Sequence, residues 1–263
     1  MVAIVFMVAG MSSRFGGIKQ LCKVGSNEET LIEISVKQAL TQSFSKIIFI
    51  TNKKTEHLFK NLFNDKFLNA PVEYIQQTYE NSRLRPWGTT DAVCSLVGRI
   101  HEPFILVNSD DIYGIDAFKQ GFELLIAGKD NYIGTTTLKN TIKGDELVNR
   151  GILEINTSNN KVISLKETLG INPSKQHDLL NKLCNVNFMC LQPDIITLLK
   201  TNLDSFKLLH YNNNKIEALL PDDINELIQN HNVIMYAFKI RDTIMSLTYQ
   251  TDIPNMKKHL EKI

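Results

Sequence analysis

Residues 2–20 read Val-Ala-Ile-Val-Phe-Met-Val-Ala-Gly-Met-Ser-Ser-Arg-Phe-Gly-Gly-Ile-Lys-Gln, and this stretch decides the fold. The apolar run from Val2 to Ala9 predicts a buried parallel strand, because strands covered on both faces lose the alternation of apolar and polar residues. The loop after it offers backbone N–H groups with little side-chain obstruction. Arg14 adds a planar fork of donors, and Lys19 adds a mobile point charge. Together these features predict a loop that holds a polyphosphate.

A glycine-rich turn after a first strand is common, and a lone Gly-x-x-x-Arg is more often a plain turn with a solvated Arg. Here the glycines and cations crowd into eleven positions: Gly10, Arg14, Gly16, Gly17, Lys19 and Gln20. The stretch lacks the Gly-Lys-Ser/Thr ending of a P-loop and the Gly-x-Gly-x-x-Gly of a dinucleotide-binding turn. It therefore predicts neither a P-loop ATPase nor a dehydrogenase.

The segment from Ala9 to Arg14, followed by Lys19 and Gln20, resembles the opening motif of the sugar-1-phosphate nucleotidyltransferases, also called NDP-sugar pyrophosphorylases. The nearest branch reads Ala-Gly-Met-Gly-Ser-Arg-Tyr-Gly-Gly-Leu-Lys-Gln. In that family the loop wraps a nucleoside triphosphate, with the Arg and Lys on its phosphates. The resemblance implies catalytic roles for Arg14 and Lys19, and nucleotide contacts from Ala9, Gly10, Met11, Ser12 and Ser13. Ser12 replaces the family's second Gly, which could alter how the loop meets the base or the phosphates.

Size and charge narrow the class of protein. The 263 residues fit one domain, 1–263, of the short single-domain form. With 29 basic and 28 acidic residues the net charge is +1, which favours neither nucleic acid nor a membrane as partner. Four cysteines without a Cys-x-x-Cys pair, and six scattered histidines, predict reduced thiols and no zinc site. The first apolar run lacks a basic leader, so we expect a cytoplasmic protein. The oligomeric state stays open, a homo-oligomer included.

Strand and helix patterns alternate through the first half of the chain. Apolar runs predict strands at 46–51, 72–76, 104–108 and 132–138, and helical patterns fall at 31–41, 55–63, 89–99 and 115–127. This alternation predicts an α/β fold with a Rossmann-like, doubly wound mixed sheet. The resemblance narrows it to the nucleotide-diphospho-sugar transferase type, which is GT-A-like.

The second half has a mixed pattern. We predict a hairpin from 151–156 and 161–167, strands at 185–191, 233–238 and 244–248, and helices from 193, at 224–229 and from about 254. Asp252 is the expected N-cap of the last helix. The nucleotide would bind to residues from about 1–145 and the sugar phosphate to residues from about 146–263.

Two adjacent carboxylates follow the apolar run 104–107, where an α/β sheet presents side chains to ligands. Magnesium usually takes one or two protein carboxylates and leaves the other positions to phosphate and water. Either Asp110 or Asp111 could instead cap the helix near Ile115. In the family this strand ends in Gly-Asp, which makes Asp110 the implied ligand and Asp111 the second choice. The implied cofactor is Mg²⁺.

A second junction lies at residues 85–92. Gly88 allows a close backbone approach, and Thr89 is expected to cap the following helix. Gly-Thr at a helix start is usually only a cap, but here it resembles the family's Gly-Thr-x-x-Ala, which contacts nucleobase and ribose. Gln77 or Gln76 would read a pyrimidine edge, since an amide offers both a donor and an acceptor.

The predicted hairpin resembles the segment that lines the family's sugar pocket, which maps to Gly151 and Glu167; Asn187 matches a sugar-contacting Asn. Ordinary strand chemistry is the alternative for each. Many relatives place a Lys after that Glu to hold the sugar phosphate. Thr168 stands there, so Lys166 or Arg150 substitutes, or the contact is absent.

The family's second metal carboxylate should fall at 246–249, where no Asp stands. Either Thr248 holds the metal through water, or the metal relies mainly on Asp110.

The resemblance implies transfer of a nucleotidyl group, with UTP favoured, to a sugar 1-phosphate, with N-acetylglucosamine 1-phosphate favoured. Products are a nucleotide sugar, UDP-N-acetylglucosamine, and pyrophosphate. Alternatives within the class are glucose-1-phosphate uridylyl- or thymidylyltransferases. Two alternatives of other classes are a glycosyltransferase that uses a finished nucleotide sugar and a non-catalytic nucleotide sensor.

Overall fold

A computed structural model describes residues 1–10, 15–142 and 147–261 of the chain. Its strands form one sheet of ten strands and a separate sheet of two. In chain order they are β1 (Ala3–Met7), β2 (Ile47–Thr51), β3 (Lys66–Phe67), β4 (Ala70–Gln76), β5 (Phe104–Asn108), β6 (Asp111–Ile112), β7 (Asn131–Thr137), β8 (Val148–Ile155), β9 (Val162–Ile171), β10 (Leu183–Leu191), β11 (Met235–Lys239) and β12 (Met245–Ser246).

The large sheet runs in the order β11-β7-β10-β5-β1-β2-β4-β3, and β8 joins β9 to β10 at the side. Strands β5, β1, β2 and β4 are parallel, whereas β10 is antiparallel to both β5 and β7. The predicted α/β fold with a Rossmann-like, doubly wound mixed sheet is therefore confirmed. The central strands are uniformly buried and rich in Ile, Val and Phe, as expected for a sheet covered on both faces.

Seven α-helices in the described residues cover the sheet or connect its strands: α1 (Leu31–Ala39), α2 (Glu56–Phe63), α3 (Thr89–Cys94), α4 (Ile115–Ala127), α5 (Ile195–Leu209), α6 (Leu220–Asn230) and α7 (Ile253–Leu260). Helix α1 begins with a reciprocal capping box, in which Thr30 Oγ1 accepts from Glu33 N–H and the Glu33 carboxylate accepts from Thr30 N–H. The two faces of the sheet carry separate hydrophobic clusters, one packed against α3, α5 and α6 and the other against α1, α2 and α4.

The parallel strands present their carboxyl ends at one edge of the sheet, and the chain's polar motifs follow those ends. Because Met7 pairs with Asn108 and Ser109 donates to the Met7 carbonyl, the end of β1 and the Ser109-Asp110 turn lie side by side. The antiparallel β10 reaches the same edge from the other direction, since Phe188 pairs with Val107. This edge is therefore where the fold can assemble a site.

Several predicted boundaries are wrong. Helix α3 ends at Cys94 rather than at 99, and turns continue from there. Helix α6 begins at Leu220, one turn before the predicted 224, with a proline in its first turn. The predicted strand 244–248 contains only β12, which pairs with β6 and not with the main sheet. Asp252 holds the N-cap position of α7, but its carboxylate accepts from the N–H groups of Thr248 and Tyr249.

All four cysteines, Cys22, Cys94, Cys184 and Cys190, are free thiols, as predicted. Burial raises the pKa of Cys94 to about 12 and that of Cys184 to about 11, so neither thiol is poised to react near neutral pH. Among the described residues, no helix is both long enough and apolar enough to cross a bilayer.

Candidate active site

The predicted phosphate-binding loop begins at the end of β1. Met11, Ser12, Ser13 and Arg14 lie outside the described residues, so their predicted contacts stay predictions. Ala9 is buried, and its carbonyl accepts a hydrogen bond of 2.6 Å from the Asn52 amide beyond β2. Gly10 is exposed, and a Cβ there would meet nothing within 4 Å. The start of the loop is thus tied to the strand ends and its first glycine is open to a ligand.

Lys19 and Asp110 are brought together across 91 residues of sequence, where the Lys19 ammonium donates to Asp110 Oδ2. Lys19 lies in a short 3₁₀ helix, Lys19–Leu21, which is anchored by Gln20. Gln20 Nε2 donates to Ser109 Oγ at 3.2 Å, and Ser109 donates to the Met7 carbonyl at 2.5 Å. The pair keeps side-chain exposures of 17% and 22%, so both charges remain accessible to an anion or a cation.

Asp111 faces inward and is nearly buried. Its two oxygens accept from the Ser246 hydroxyl on β12 and from the Tyr113 hydroxyl at 3.2 Å. Burial raises the pKa of Asp111 to about 6, and the neighbouring Asp110 charge adds to the shift. The Asp111 carboxyl therefore joins β6 to β12, whereas that of Asp110 faces the site.

Neither aspartate caps α4, which excludes the alternative considered from the sequence. The N-cap of α4 is Gly114, and the Asp116 N–H donates to Asp242 Oδ2 at 2.9 Å. A Cβ on Gly114 would collide with the Asp242 carboxylate, so glycine is required there. With the helix end satisfied by Asp242, the Asp110 carboxylate is left for Lys19 and for a ligand.

The donor set fits a hard divalent cation that is bound largely through phosphate. No group of three or more His, Cys, Asp or Glu side chains in the described residues is arranged to hold a metal ion. One accessible carboxylate, Asp110, stands at the strand end beside Lys19, and magnesium needs little more from a protein when phosphates complete its shell.

Gln77 follows β4 and is buried, whereas Gln76 is exposed. The Gln77 amide donates to the Gly88 carbonyl at 3.0 Å and to Asp91 Oδ2 at 2.8 Å. Asp91 in turn forms an ion pair of 2.5 Å with Lys207. Of the two candidate glutamines, the structure therefore places only Gln77 beside Gly88.

Gly88 allows a close backbone approach, but the approaching backbone is the chain's own. Its φ is +107°, and a Cβ would lie 2.3 Å from the Ala218 carbonyl oxygen. The prediction that Thr89 caps α3 is wrong. Gly88 is the N-cap residue, and Thr89 Oγ1 accepts from the Leu220 N–H at 2.9 Å, so that it satisfies the start of α6 instead. The junction thereby ties the loop before α3 to α6.

The predicted sugar residues converge on β8, β9 and β10. Gly151 pairs with Glu167, and a Cβ on Gly151 would lie 3.4 Å from both Asn185 Cβ and Glu167 Oε2. Asn185 Nδ2 donates to Asn187 Oδ1 at 3.0 Å, and its own Oδ1 accepts from the Asn187 N–H. Asn187 has a φ of +57° within an irregularity of β10. All three predicted sugar residues are therefore within one cluster.

Glu167 lies partly buried in that cluster. Burial raises the pKa of Glu167, the nearby Asp222 raises it further, and Arg150 opposes both effects. Arg150 pairs directly with Thr168, the position of the family's Lys, and Lys166 lies two positions before Thr168 on β9, so all three share one face of the hairpin. Arg150 is also tied to Thr141 by hydrogen bonds of 3.1 and 3.3 Å. Substitution of the family's Lys by Lys166 or Arg150 therefore stays a prediction, with absence of the contact as its alternative.

Sequence reasoning misses three residues near these groups, namely Asp91, Asn185 and Lys207. In the sequence Asp91 looks only like part of a helix start, and Asn185 only like a strand residue. Lys207 lies 116 residues beyond Asp91, on another helix, and no local pattern links them. A signal does exist for Asn185, because polar residues two apart in an apolar strand share one face.

The sequence profile of the family described as Nucleotidyl transferase matches residues 11–177, more than half of the chain. The chain belongs to the nucleotidyl transferase family. No curated protein sequence matches it significantly. The resemblance seen in the phosphate-binding loop is thereby confirmed at the level of the family.

Solved structures of similar shape support the same fold for this nucleotidyl transferase. A protein assigned as a glucose-1-phosphate thymidylyltransferase from Bacillus anthracis superposes over 100% of the chain and 96% of its own length, with a TM-score of 0.73 and 11% identity. An inositol-1-phosphate CTP transferase from T. maritima matches over 99% and 96% (TM-score 0.70, 11% identity). A UDP-glucose pyrophosphorylase matches over 100% and 99% (TM-score 0.67, 16% identity). The fold is that of the nucleotide-diphospho-sugar transferases, as predicted.

Proposed function

We propose that this nucleotidyl transferase transfers a uridylyl group from UTP to a sugar 1-phosphate, with N-acetylglucosamine 1-phosphate as the favoured acceptor. The supporting observation is the order of groups along one edge of the sheet. Gln77 follows β4, the Lys19–Asp110 pair lies beyond the central β1 and β5, and the sugar cluster lies on β10 and its neighbours. A base, a triphosphate and a sugar phosphate would occupy this edge in that order.

The reaction is an in-line displacement at the α-phosphorus. A phosphate oxygen of the sugar 1-phosphate forms a bond to that phosphorus, while the bond to the β-phosphate bridging oxygen breaks and pyrophosphate leaves with the electron pair. The attacking oxygen is already anionic, so no side chain has to remove a proton. The protein must align two anions that repel each other and neutralise the charge that develops.

The residues divide this task by position. Lys19, now paired with Asp110, would turn its ammonium to the α-phosphate, and Arg14 would contact the β- and γ-phosphates. Asp110 would hold magnesium, which would supply positive charge to offset that of the phosphates. Gly10 would leave space for the phosphates, because it has no side chain and no atom lies within 4 Å of the point that a Cβ would occupy.

The choice of base rests on Gln77. Both N–H donors of its amide are already used, so the amide can offer a base only the acceptor Oε1. Uracil carries one ring donor, N3–H, which such an acceptor can receive. Thymine carries the same donor, and therefore a thymidylyltransferase is the nearest alternative.

The choice of sugar rests on the family resemblance and on the hydrogen-bonding groups of Glu167 and Asn187. Glu167 accepts hydrogen bonds only, which suits pairs of sugar hydroxyls, and Asn187 keeps its Nδ2 donor unbound among the described residues. Glucose 1-phosphate meets the same groups and is the second candidate acceptor.

The proposal is tested by pyrophosphate release from UTP, dTTP, CTP, GTP and ATP, each with several sugar 1-phosphates, in magnesium and without an acceptor glycan. We expect release with UTP and N-acetylglucosamine 1-phosphate above all other pairs. Release only in the presence of a glycan would indicate a glycosyltransferase. Saturable UTP binding without any turnover would indicate a nucleotide sensor.

A further inference from the structure

The amide of Gln77 is held in one orientation by its neighbours. Its NH₂ group has two donors, and both are occupied, by the Gly88 carbonyl and by Asp91 Oδ2. If the amide were flipped, Oε1 would face these two acceptors. The Gly88 carbonyl and Asp91 Oδ2 would then both lose the hydrogen bond from Gln77. Burial makes such an arrangement costly, since Gln77 and Asp91 are only 7% and 6% exposed.

Asp91 is itself held from a distant part of the chain. Its second oxygen, Oδ1, carries the ion pair of 2.5 Å to Lys207 on α5, so the carboxylate has one oxygen for the amide and one for the ammonium. The Lys207 ammonium also lies 5.6 Å from the centre of the Trp87 ring. Lys207 therefore fixes the orientation of the Asp91 carboxylate, and that carboxylate fixes the orientation of the Gln77 amide.

The outcome is an acceptor with a defined direction. Within the described residues, Gln77 Oε1 accepts no hydrogen bond, which leaves it for a ligand. Uracil can donate to it from N3–H, but N3 of cytosine is itself an acceptor. An acceptor facing N3 thus pairs with uracil and repels cytosine.

We infer that Asp91 and Lys207 are positioning residues that hold the Gln77 amide with its acceptor Oε1, and not its donors, towards the base. This orientation would select UTP over CTP. The inference rests on the proposed use of UTP. It assigns to Asp91 and Lys207 no contact with the substrate.

Asp91→Asn tests the positioning role. Lys207 still requires an acceptor, so the amide introduced at this position would turn its oxygen to the ammonium and its NH₂ to Gln77, which favours the rotated orientation of Gln77. The preference of kcat/KM for UTP over CTP should fall on the order of tenfold, the equivalent of one hydrogen bond. The change should appear in KM for the nucleotide and not in kcat. Lys207→Met should act in the same direction but less, because Asp91 still accepts from Gln77.

The matched controls are Lys200→Met and Asp204→Asn, which break a Lys–Asp pair on the same helix that is exposed to solvent. Neither control should change the UTP-to-CTP ratio. A second measurement needs only the native protein: 3-methyluridine triphosphate, which lacks the N3–H donor, should be used at least tenfold less efficiently than UTP, on the order of one lost hydrogen bond.

The outcomes separate the two claims. Absence of turnover with UTP and every sugar 1-phosphate would contradict the proposed function. Turnover with UTP, an unchanged base ratio in Asp91→Asn and equal use of the 3-methyl analogue would overturn the positioning inference alone.

Discussion

At the scale of residues, two adjacent aspartates have different tasks. Asp110 pairs with Lys19 and stays accessible, whereas Asp111 is buried against Ser246 and Tyr113. A metal bound through phosphate needs an accessible carboxylate. We therefore expect the two positions to respond differently to the same substitution.

Asp110→Asn should lower magnesium-dependent turnover by roughly a hundredfold or more, because a neutral amide cannot hold the cation that offsets the phosphate charge. The unfolding midpoint should stay near that of the native chain, since Asp110 is partly exposed. Steady-state pyrophosphate release and thermal unfolding measure the two effects. If Asp111→Asn damages turnover more than Asp110→Asn, the metal ligand has been assigned to the wrong aspartate.

Arg14→Ala should cost on the order of 1.5–3 kcal/mol of transition-state stabilisation, one charge-assisted contact, which is roughly ten- to a hundredfold in kcat/KM for UTP. An unchanged rate at limiting UTP would contradict its place on the phosphates.

Asp111 also predicts a dependence of stability on pH. Its pKa, raised from 3.8 to about 6, means that the folded chain binds the proton more tightly than the unfolded chain does. Its contribution to stability is therefore full below about pH 4 and is lost as the pH rises through about 6. In Asp111→Asn the contribution cannot titrate, so the free energy of unfolding of this variant relative to the native chain should increase between about pH 4 and 6 and then level off. Urea titrations in EDTA measure it, and a difference that does not vary with pH would contradict the burial of an ionisable Asp111.

At the scale of elements, the start of α3 is built against the segment before α6. Gly88 approaches Ala218, and Thr89 satisfies the first N–H of α6. Arg83 strengthens this junction by donating to the carbonyls of Asn213 and Ile216, at 2.9 and 2.6 Å. The loop between Gln77 and α3 is therefore held by the second half of the chain.

Gly88→Ala should destabilise the fold by roughly 2–4 kcal/mol, since the new Cβ meets a backbone oxygen and the positive φ adds strain. Gly98→Ala is the matched control: Gly98 also has a positive φ, of +69°, but no atom lies within 4 Å of the point that a Cβ would occupy. It should cost only about 1–2 kcal/mol. Equal losses of unfolding free energy in the two variants would show that the close approach to Ala218 contributes nothing.

The elements that local pattern could predict are those with long apolar runs or clear periodicity. Strands β1, β2, β4 and β5 and helices α1, α2 and α4 fall within a few residues of their predicted bounds. The short β6 and β12 pair only with each other, and nothing local in either announces the partner 135 residues away. The role of Thr89 is mispredicted for the same reason. In sequence, a threonine at a helix start looks like the cap of its own helix, although Thr89 accepts from the first N–H of another helix, α6.

At the scale of the whole molecule, one sheet edge collects groups from both halves of the chain. Lys19, Gln77 and Asp110 come from the first half, and the cluster of Gly151, Glu167 and Asn187 comes from the second. The motifs and their order could be predicted from the sequence because each follows a strand end. The antiparallel insertion of β10 between β5 and β7 could not, since strand order depends on long-range pairing. The pairing of β10 with β8, which is also long-range, brings Asn185 beside Gly151 and its partner Glu167.

The net charge of +1 gives the molecule no large field, so we expect an anionic substrate to be held by nearby cations such as Lys19. The proposed division of the edge into a nucleotide side and a sugar side leads to one central prediction. The bond that breaks should lie between the α- and β-phosphates, and the uridylyl group should remain on the sugar phosphate.

The most direct test follows two labels in the same reaction. With N-acetylglucosamine 1-phosphate and magnesium, the label of [α-³²P]UTP should appear in a nucleotide sugar, and that of [β-³²P]UTP should appear in pyrophosphate at the same rate. An α label recovered as UMP, or a β label retained in a nucleoside diphosphate, would contradict the account.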